Sequence, residues 1–342
     1  MVVHLTARVS TLLILAAVLC GCSRLASDDT PAVPSSALPP NVSRATKDAA
    51  LTEVLQSADA APPGVNSVPL PEERILHFTW KPERARSIEY AMQAREDQHT
   101  IFALRGVEVG KPTPVVVAFH GQPRRRQPPH TYAFPRTVAD VARRLVESRA
   151  VTPFVLVTPV FRFEGQNWPS FDVAQFVEEV KRVLANDGIA AGRFYFVGHS
   201  GAAGCGGDGL NHVADASPSA VGFFDTCVGA GFLESVRELG RRGVPTFIAH
   251  SVETAGFQPR EPTEYESHFD YGKVYSKVGL LPTACPERLP DAPLRKLEYR
   301  CAANPSATVR ALVIDTGEGE KAHEALVPVA LRYFLMEYLR VK

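Results

Sequence analysis

Ser200 stands in "RFYFVGHSGAAGCGG", residues 193–207, between an apolar run and a crowd of glycines. A serine hydroxyl is a weak nucleophile until an imidazole takes its proton and a carboxylate orients that imidazole. Parts of both kinds follow it in the chain. His323, in "TGEGEKAHEALVPVALRYF", can accept the serine proton and return it to a leaving group. Three carboxylates compete for the orienting role, which needs only hydrogen-bond reach of the ring: Glu253 in "VPTFIAHSVETAG", Asp225 in "GFFDTC", and Asp315 at the end of "TVRALVID". Phosphate binding by the glycines is excluded, because no Lys-Ser or Lys-Thr closes the loop.

The elements that must position these groups alternate in type. "PVVVAFHG" from Pro114, "TPFVLVTPVF" from Thr152, "RFYFVGH" from Arg193, "SAVGFFDTCV" from Ser219, "VPTFIAHS" from Val244 and "TVRALVIDTG" from Thr308 read as buried strands. Between them, "RTVADVARRLVES", "FDVAQFVEEVKRVLAND" and "GFLESVRELGRRG" carry apolar residues at helical spacing, and "HEALVPVALRYFLMEYLRV" closes the chain as a last helix. Such alternation predicts an α/β fold with a mainly parallel sheet and helices on both faces, since each crossover must pass over a face. "ILHFTWKP" and "TIFALRGVEV" suit an antiparallel edge pair. Residues 256–307 interrupt the pattern with an irregular, proline-rich insert, read as either a lid or specificity segment or a structural excursion.

In that context "GHSGA", Gly198–Ala202, resembles the nucleophile elbow GxSxG of the α/β-hydrolase superfamily, with Ala202 in place of the last glycine. The resemblance implies an α/β-hydrolase fold and a serine hydrolase acting on an ester, or an amide, with Ser200 as nucleophile. It places His323, between the last strand and last helix, as the base. For the acid it favours Glu253, where "H-G-x-D" style loops carry one, with Asp225 as the rival because some relatives carry it on the preceding strand. "VVVAFHGQP" resembles the HG turn that supplies an oxyanion donor, here the amide of Gln122, with Gly201 supplying the other. Two readings remain beside the esterase: a serine peptidase, and an inactive hydrolase-fold protein that binds a ligand.

The amino terminus points outward from the cytoplasm. "MVVHLTARVSTLLILAAVLCGC" has a basic start at Arg8 and an apolar core too short to span a bilayer, so residues 1–21 read as a signal peptide. "LCGC" resembles the lipobox of bacterial lipoproteins, which implies lipidation of Cys22; Ser23 follows, not the aspartate of inner-membrane retention, so the expectation is a lipid-anchored envelope protein at the outer membrane. Residues 22–71, rich in Pro, Ala, Ser and Asp, read as a disordered tether, leaving 72–342 as the folded domain.

Composition narrows the partners. The 37 basic and 37 acidic side chains cancel, so nothing electrostatic argues for nucleic acid; the partners expected are a small-molecule or polymeric ester and, through the anchor, the membrane. Arg124–Arg126 read either as a solvated loop or as a site for anionic groups. Cys205, Cys227, Cys285 and Cys301 are even in number, as suits disulfides in an oxidising compartment, and the local pairings 205–227 and 285–301 are expected. Without CxxC spacing or a histidine three to five residues from any of them, neither a metal nor another cofactor is expected. Gly204, Gly206, Gly207 and Gly209 oppose a long helix after Ser200, so the segment there is expected to be short or covalently tied.

Overall fold

Val115, Val116, Val117, Ala118 and Phe119 are each 0–1% exposed, which is why a β-branched run without polar alternation forms a strand covered on both faces. The structure, a computed structural model, describes residues 68–80, 98–121, 133–160, 168, 171–203, 209–251, 271–285, 298–317 and 321–341. Its strands are β1 (Val68–Pro69), β2 (Arg74–Thr79), β3 (Gln98–Ala103), β4 (Glu108–Val109), β5 (Thr113–Phe119), β6 (Val155–Thr158), β7 (Ala191–His199), β8 (Ala220–Phe224), β9 (Thr246–Ser251), β10 (Leu281–Thr283), β11 (Glu298–Ala303) and β12 (Val309–Asp315). The helices are α1 (Ala133–Glu147), α2 (Val173–Asn186), α3 (Ala230–Arg241), α4 (Tyr271–Val278) and α5 (Ala322–Tyr338).

Ten strands form one sheet in the order β10-β11-β12-β9-β8-β7-β5-β6-β3-β2. The six from β12 to β6 are parallel, and antiparallel pairs close both ends. Alternate residues of the central strands serve opposite layers. Val115, Val117 and Phe119 join the core under α2 and α3, whereas Val116 and Ala118 join the core under α1 and α5. This is the three-layer, mainly parallel architecture expected of an α/β-hydrolase fold. The chain moves outward from β5 to β6, then returns to the other side of β5 for β7, so strand order reverses between β5 and β7. Open α/β sheets bind ligands in the crevice beyond the carboxyl ends of strands at such a reversal.

Two features differ from the expectation. The folded region begins before residue 72: β1 pairs with β4, and Leu70, 3% exposed, exchanges backbone hydrogen bonds with Val107 (2.8 Å) and Gly106 (2.9 Å). The insert between β9 and β12 is regular where it is described. It contributes α4 and the antiparallel strands β10 and β11, which extend the sheet beyond β12. Cys285 and Cys301 are joined by a disulfide with Cα atoms 5.1 Å apart, next to the Thr283–Cys301 register pair. Residues 256–270 and 286–297 of the insert, the expected anchor residue Cys22 and the Arg124–Arg126 run lie outside the described residues.

Candidate active site

Parallel register carries the candidate residues to one line along the sheet. Phe119 of β5 is aligned with Gly198 of β7, His199 with Phe224 of β8, and Phe224 with Ala249 of β9. Gly121, Ser200, Asp225 and His250 come next along these four strands, at the carboxyl edge, and Gly121 and Ser200 flank the reversal. The approach is close: a β-carbon on Gly121 would lie 2.5 Å from Ser200 Cβ and 3.1 Å from its Oγ, so only glycine fits beside the serine. Gly198 is small for a similar reason, since a β-carbon there would meet the Leu210 side chain and lie 2.7 Å from Ala202 Cβ. Alanine suffices at 202 because that methyl already fills the space.

Ser200 has φ 54° and Asp225 has φ 46°, both in the left-handed region that costs a non-glycine residue roughly 1–2 kcal/mol. Such strain clusters at functional turns and persists only where neighbours enforce it. Here the neighbours are backbone hydrogen bonds: Asp225 N–H donates to Ala249 O at 2.7 Å, and Cys227 N–H donates to Ser200 O at 3.2 Å. Cys227 is itself disulfide-bonded, while Cys205, its expected partner, lies outside the described residues. After Ser200 comes a single 3-10 turn, Ser200–Ala202, and a second 3-10 stretch covers Gly209–Ala216. The segment is short, as the glycines require.

His323 lies in the first turn of α5, and its Nδ1 donates to Asp225 Oδ2 at 2.8 Å. Asp225 is fully buried and the His323 side chain is 17% exposed. A proton held on Nδ1 leaves Nε2 as the basic nitrogen. Glu253 lies outside the described residues; Asp225 is the carboxylate that meets the ring. Asp315 instead accepts from Gly317 N–H at 3.1 Å, closing its own turn. Gly201 is buried directly after Ser200, and Gln122 lies outside the described residues. His120 and Trp168 are structural: His120 Nδ1 donates to Gly121 O at 2.6 Å, and Trp168 Nε1, 1% exposed with its residue, donates to His120 O at 2.9 Å. Burial lowers the His120 pKa to about 4, so the ring stays neutral under the HG turn.

Sequence reasoning missed a second layer behind Asp225. His250 Nδ1 donates to Ser251 O at 3.1 Å, its Nε2 accepts from Tyr275 Oη at 2.5 Å, and its ring stacks on Tyr271 with centroids 4.1 Å apart. Tyr271 in turn donates to Thr226 O at 2.7 Å, pinning the residue after Asp225. Both tyrosines come from α4, four residues apart and therefore on one helix face. That spacing, in "DYGKVYSKVG", was the available signal. Also unassigned was His199, which touches His323. Among the described residues, no group of three His, Cys, Asp or Glu side chains could hold a metal ion.

No protein-family model matches this chain, and no curated protein matches it. Solved structures of similar architecture exist. A ferulic acid esterase aligns over 78% of this chain and 97% of its own at 14% identity and a TM-score of 0.47. The siderophore hydrolase EstA from Aspergillus nidulans aligns over 78% and 93% at 10% identity and 0.42. An S-formylglutathione hydrolase from Agrobacterium tumefaciens aligns over 63% and 85% at 13% identity and 0.38. At these identities and scores none of the three transfers an activity.

Proposed function

We propose that this chain is a serine hydrolase of carboxylic esters, held at the cell envelope by a lipid on Cys22. The observation that carries the catalytic reading is the 2.8 Å contact between His323 Nδ1 and buried Asp225, beside a serine held at positive φ against the HG turn. In this reading Ser200 Oγ attacks the ester carbonyl carbon while His323 Nε2 takes the hydroxyl proton. Asp225 stabilises the imidazolium so formed. The tetrahedral oxyanion accepts hydrogen bonds from the amides of Gly201 and Gln122. Collapse breaks the bond to the leaving alcohol, which receives the proton from His323, and leaves an acyl group on Ser200. Water, deprotonated by the same nitrogen, then attacks the acyl carbonyl, and release of the carboxylic acid restores the serine.

A fluorophosphonate probe tests this directly. The wild-type protein is expected to be labelled on the peptide containing Ser200; no labelling under conditions where other serine hydrolases react would remove the reading. The anchor is tested separately, and rests on "LCGC" alone. In a bacterial host, Cys22→Ala is expected to move the protein from the membrane pellet to the soluble or signal-retaining fraction and to abolish incorporation of labelled fatty acid. Unchanged fatty-acid labelling of that variant would exclude Cys22 as the site.

A further inference from the structure

His199 immediately precedes Ser200, at the last position of β7, and is 7% exposed. Its Nε2 lies 2.9 Å from the backbone oxygen of His323. A carbonyl only accepts, so Nε2 carries the proton and donates. The two imidazole rings also pack with centroids 4.3 Å apart, and Phe134 of α1 stacks on His199 at 5.8 Å and 7°. Burial, then the neighbouring His323, drives the His199 pKa well down, so the ring is a neutral donor of fixed tautomer.

The helix that carries His323 needs such outside support. Its N-cap, Lys321, makes no side-chain capping hydrogen bond, and Pro328 lies inside it. Proline has no N–H to give to the carbonyl four residues back, Glu324, and its ring crowds that carbonyl. One hydrogen bond that would tie the first turn of α5 to the turns that follow is therefore missing. Asp225 fixes the far end of the His323 side chain through Nδ1 but does not fix the backbone from which the ring hangs. Loss of about 1 Å of placement in a catalytic group costs on the order of 100-fold in rate.

We infer that His199 is a positioning residue for His323, holding the first turn of α5 through its Nε2–H and ring so that the end of β7 both presents the nucleophile and sets the base. This inference rests on the serine hydrolase reading above. His199 touches neither the scissile bond nor the transferred proton; it acts through the backbone of the residue that does.

The test compares two replacements by steady-state hydrolysis of a p-nitrophenyl ester and by the rate of fluorophosphonate labelling. His199→Phe keeps an aromatic ring against Phe134 and lacks the donor; His199→Gln brings a side-chain amide near the place of Nε2. The phenylalanine variant is expected to lose 10- to 100-fold in kcat and in labelling rate, with KM within threefold of wild type. The glutamine variant is expected to recover at least a third of the loss on a logarithmic scale. Wild-type kcat in His199→Phe would overturn the inference, as would equal loss in both variants accompanied by equal falls in thermal midpoint, which marks packing alone. Failure of the wild-type protein to label or turn over is a different result: it removes the hydrolase reading, and this inference with it.

Discussion

Replacing Asp225 with asparagine is expected to lower kcat by roughly 10⁴-fold, and replacing Ser200 with alanine by up to roughly 10⁶-fold, with KM little changed in either. On the proposed reading the serine variant loses the bond-forming atom. The asparagine variant keeps nearly the same shape at a fully buried position but removes the charge that Nδ1 of His323 donates to at 2.8 Å. An amide in its place can present its NH₂ to the ring, which favours the tautomer with the proton on Nε2, the nitrogen that must be free to accept from serine. A loss of roughly 10⁴ is about 5.5 kcal/mol of transition-state stabilisation, far more than an exposed ion pair supplies. Glu253→Gln is the matched control and is expected to stay within threefold of wild type. If Asp225→Asn kept a tenth or more of wild-type kcat while Glu253→Gln fell by orders of magnitude, the acid would be Glu253.

The ambiguity between those carboxylates shows where sequence stops. Asp225 and Glu253 both follow apolar strands, and a strand run says that a residue leaves the sheet without saying which way it turns. What carries Asp225 to the ring is its left-handed backbone, φ 46°, set by a hydrogen bond to Ala249 on the next strand. A long-range partner of that kind leaves no mark on local composition. The central strands were legible for the opposite reason, since burial on both faces imposes a run such as "PVVVAF" whatever its neighbours. Edge strands carry no such demand. β10, "LPT", is exposed at all three positions, and β11 lies in a stretch read as irregular. α4 is short, and its two tyrosines point to a function only once β8 and β9 are in place to receive them. The elbow itself was legible because Gly198, Ser200 and Ala202 answer to steric limits within five residues, whereas His199 sits at the pattern's free position and acquires meaning only from α5.

A steep loss of stability in mild acid is the second large expected effect, and it follows from four histidines buried without charge. His99, His120, His199 and His250 are 2%, 3%, 7% and 3% exposed. Burial is the first cause in each case: it lowers the pKa of His99 to about 3 and of His120 to about 4, lowers His250, and holds His199 well below the ordinary value. Hydrogen bonding reinforces this for His99, whose Nδ1 accepts from Val160 N–H at 3.0 Å and cannot do so once protonated. Well above the unfolded value of about 6.5 both folded and unfolded chains hold these rings neutral, so their contribution to stability does not vary there. Below it the unfolded chain takes up protons that the folded chain refuses, and stability falls as pH falls, continuing to about pH 4 for His120 and about pH 3 for His99. Each proton so excluded steepens the loss by up to about 1.4 kcal/mol per pH unit, and the four rings act in the same direction. Urea unfolding between pH 7.5 and 4.5 is expected to show this slope, and His99→Asn, whose amide oxygen can still accept from Val160, is expected to make it shallower by up to about 1.4 kcal/mol per unit. A midpoint that stays level from pH 7 to 5 would mean that these rings take up protons in the folded chain as they do in the unfolded one.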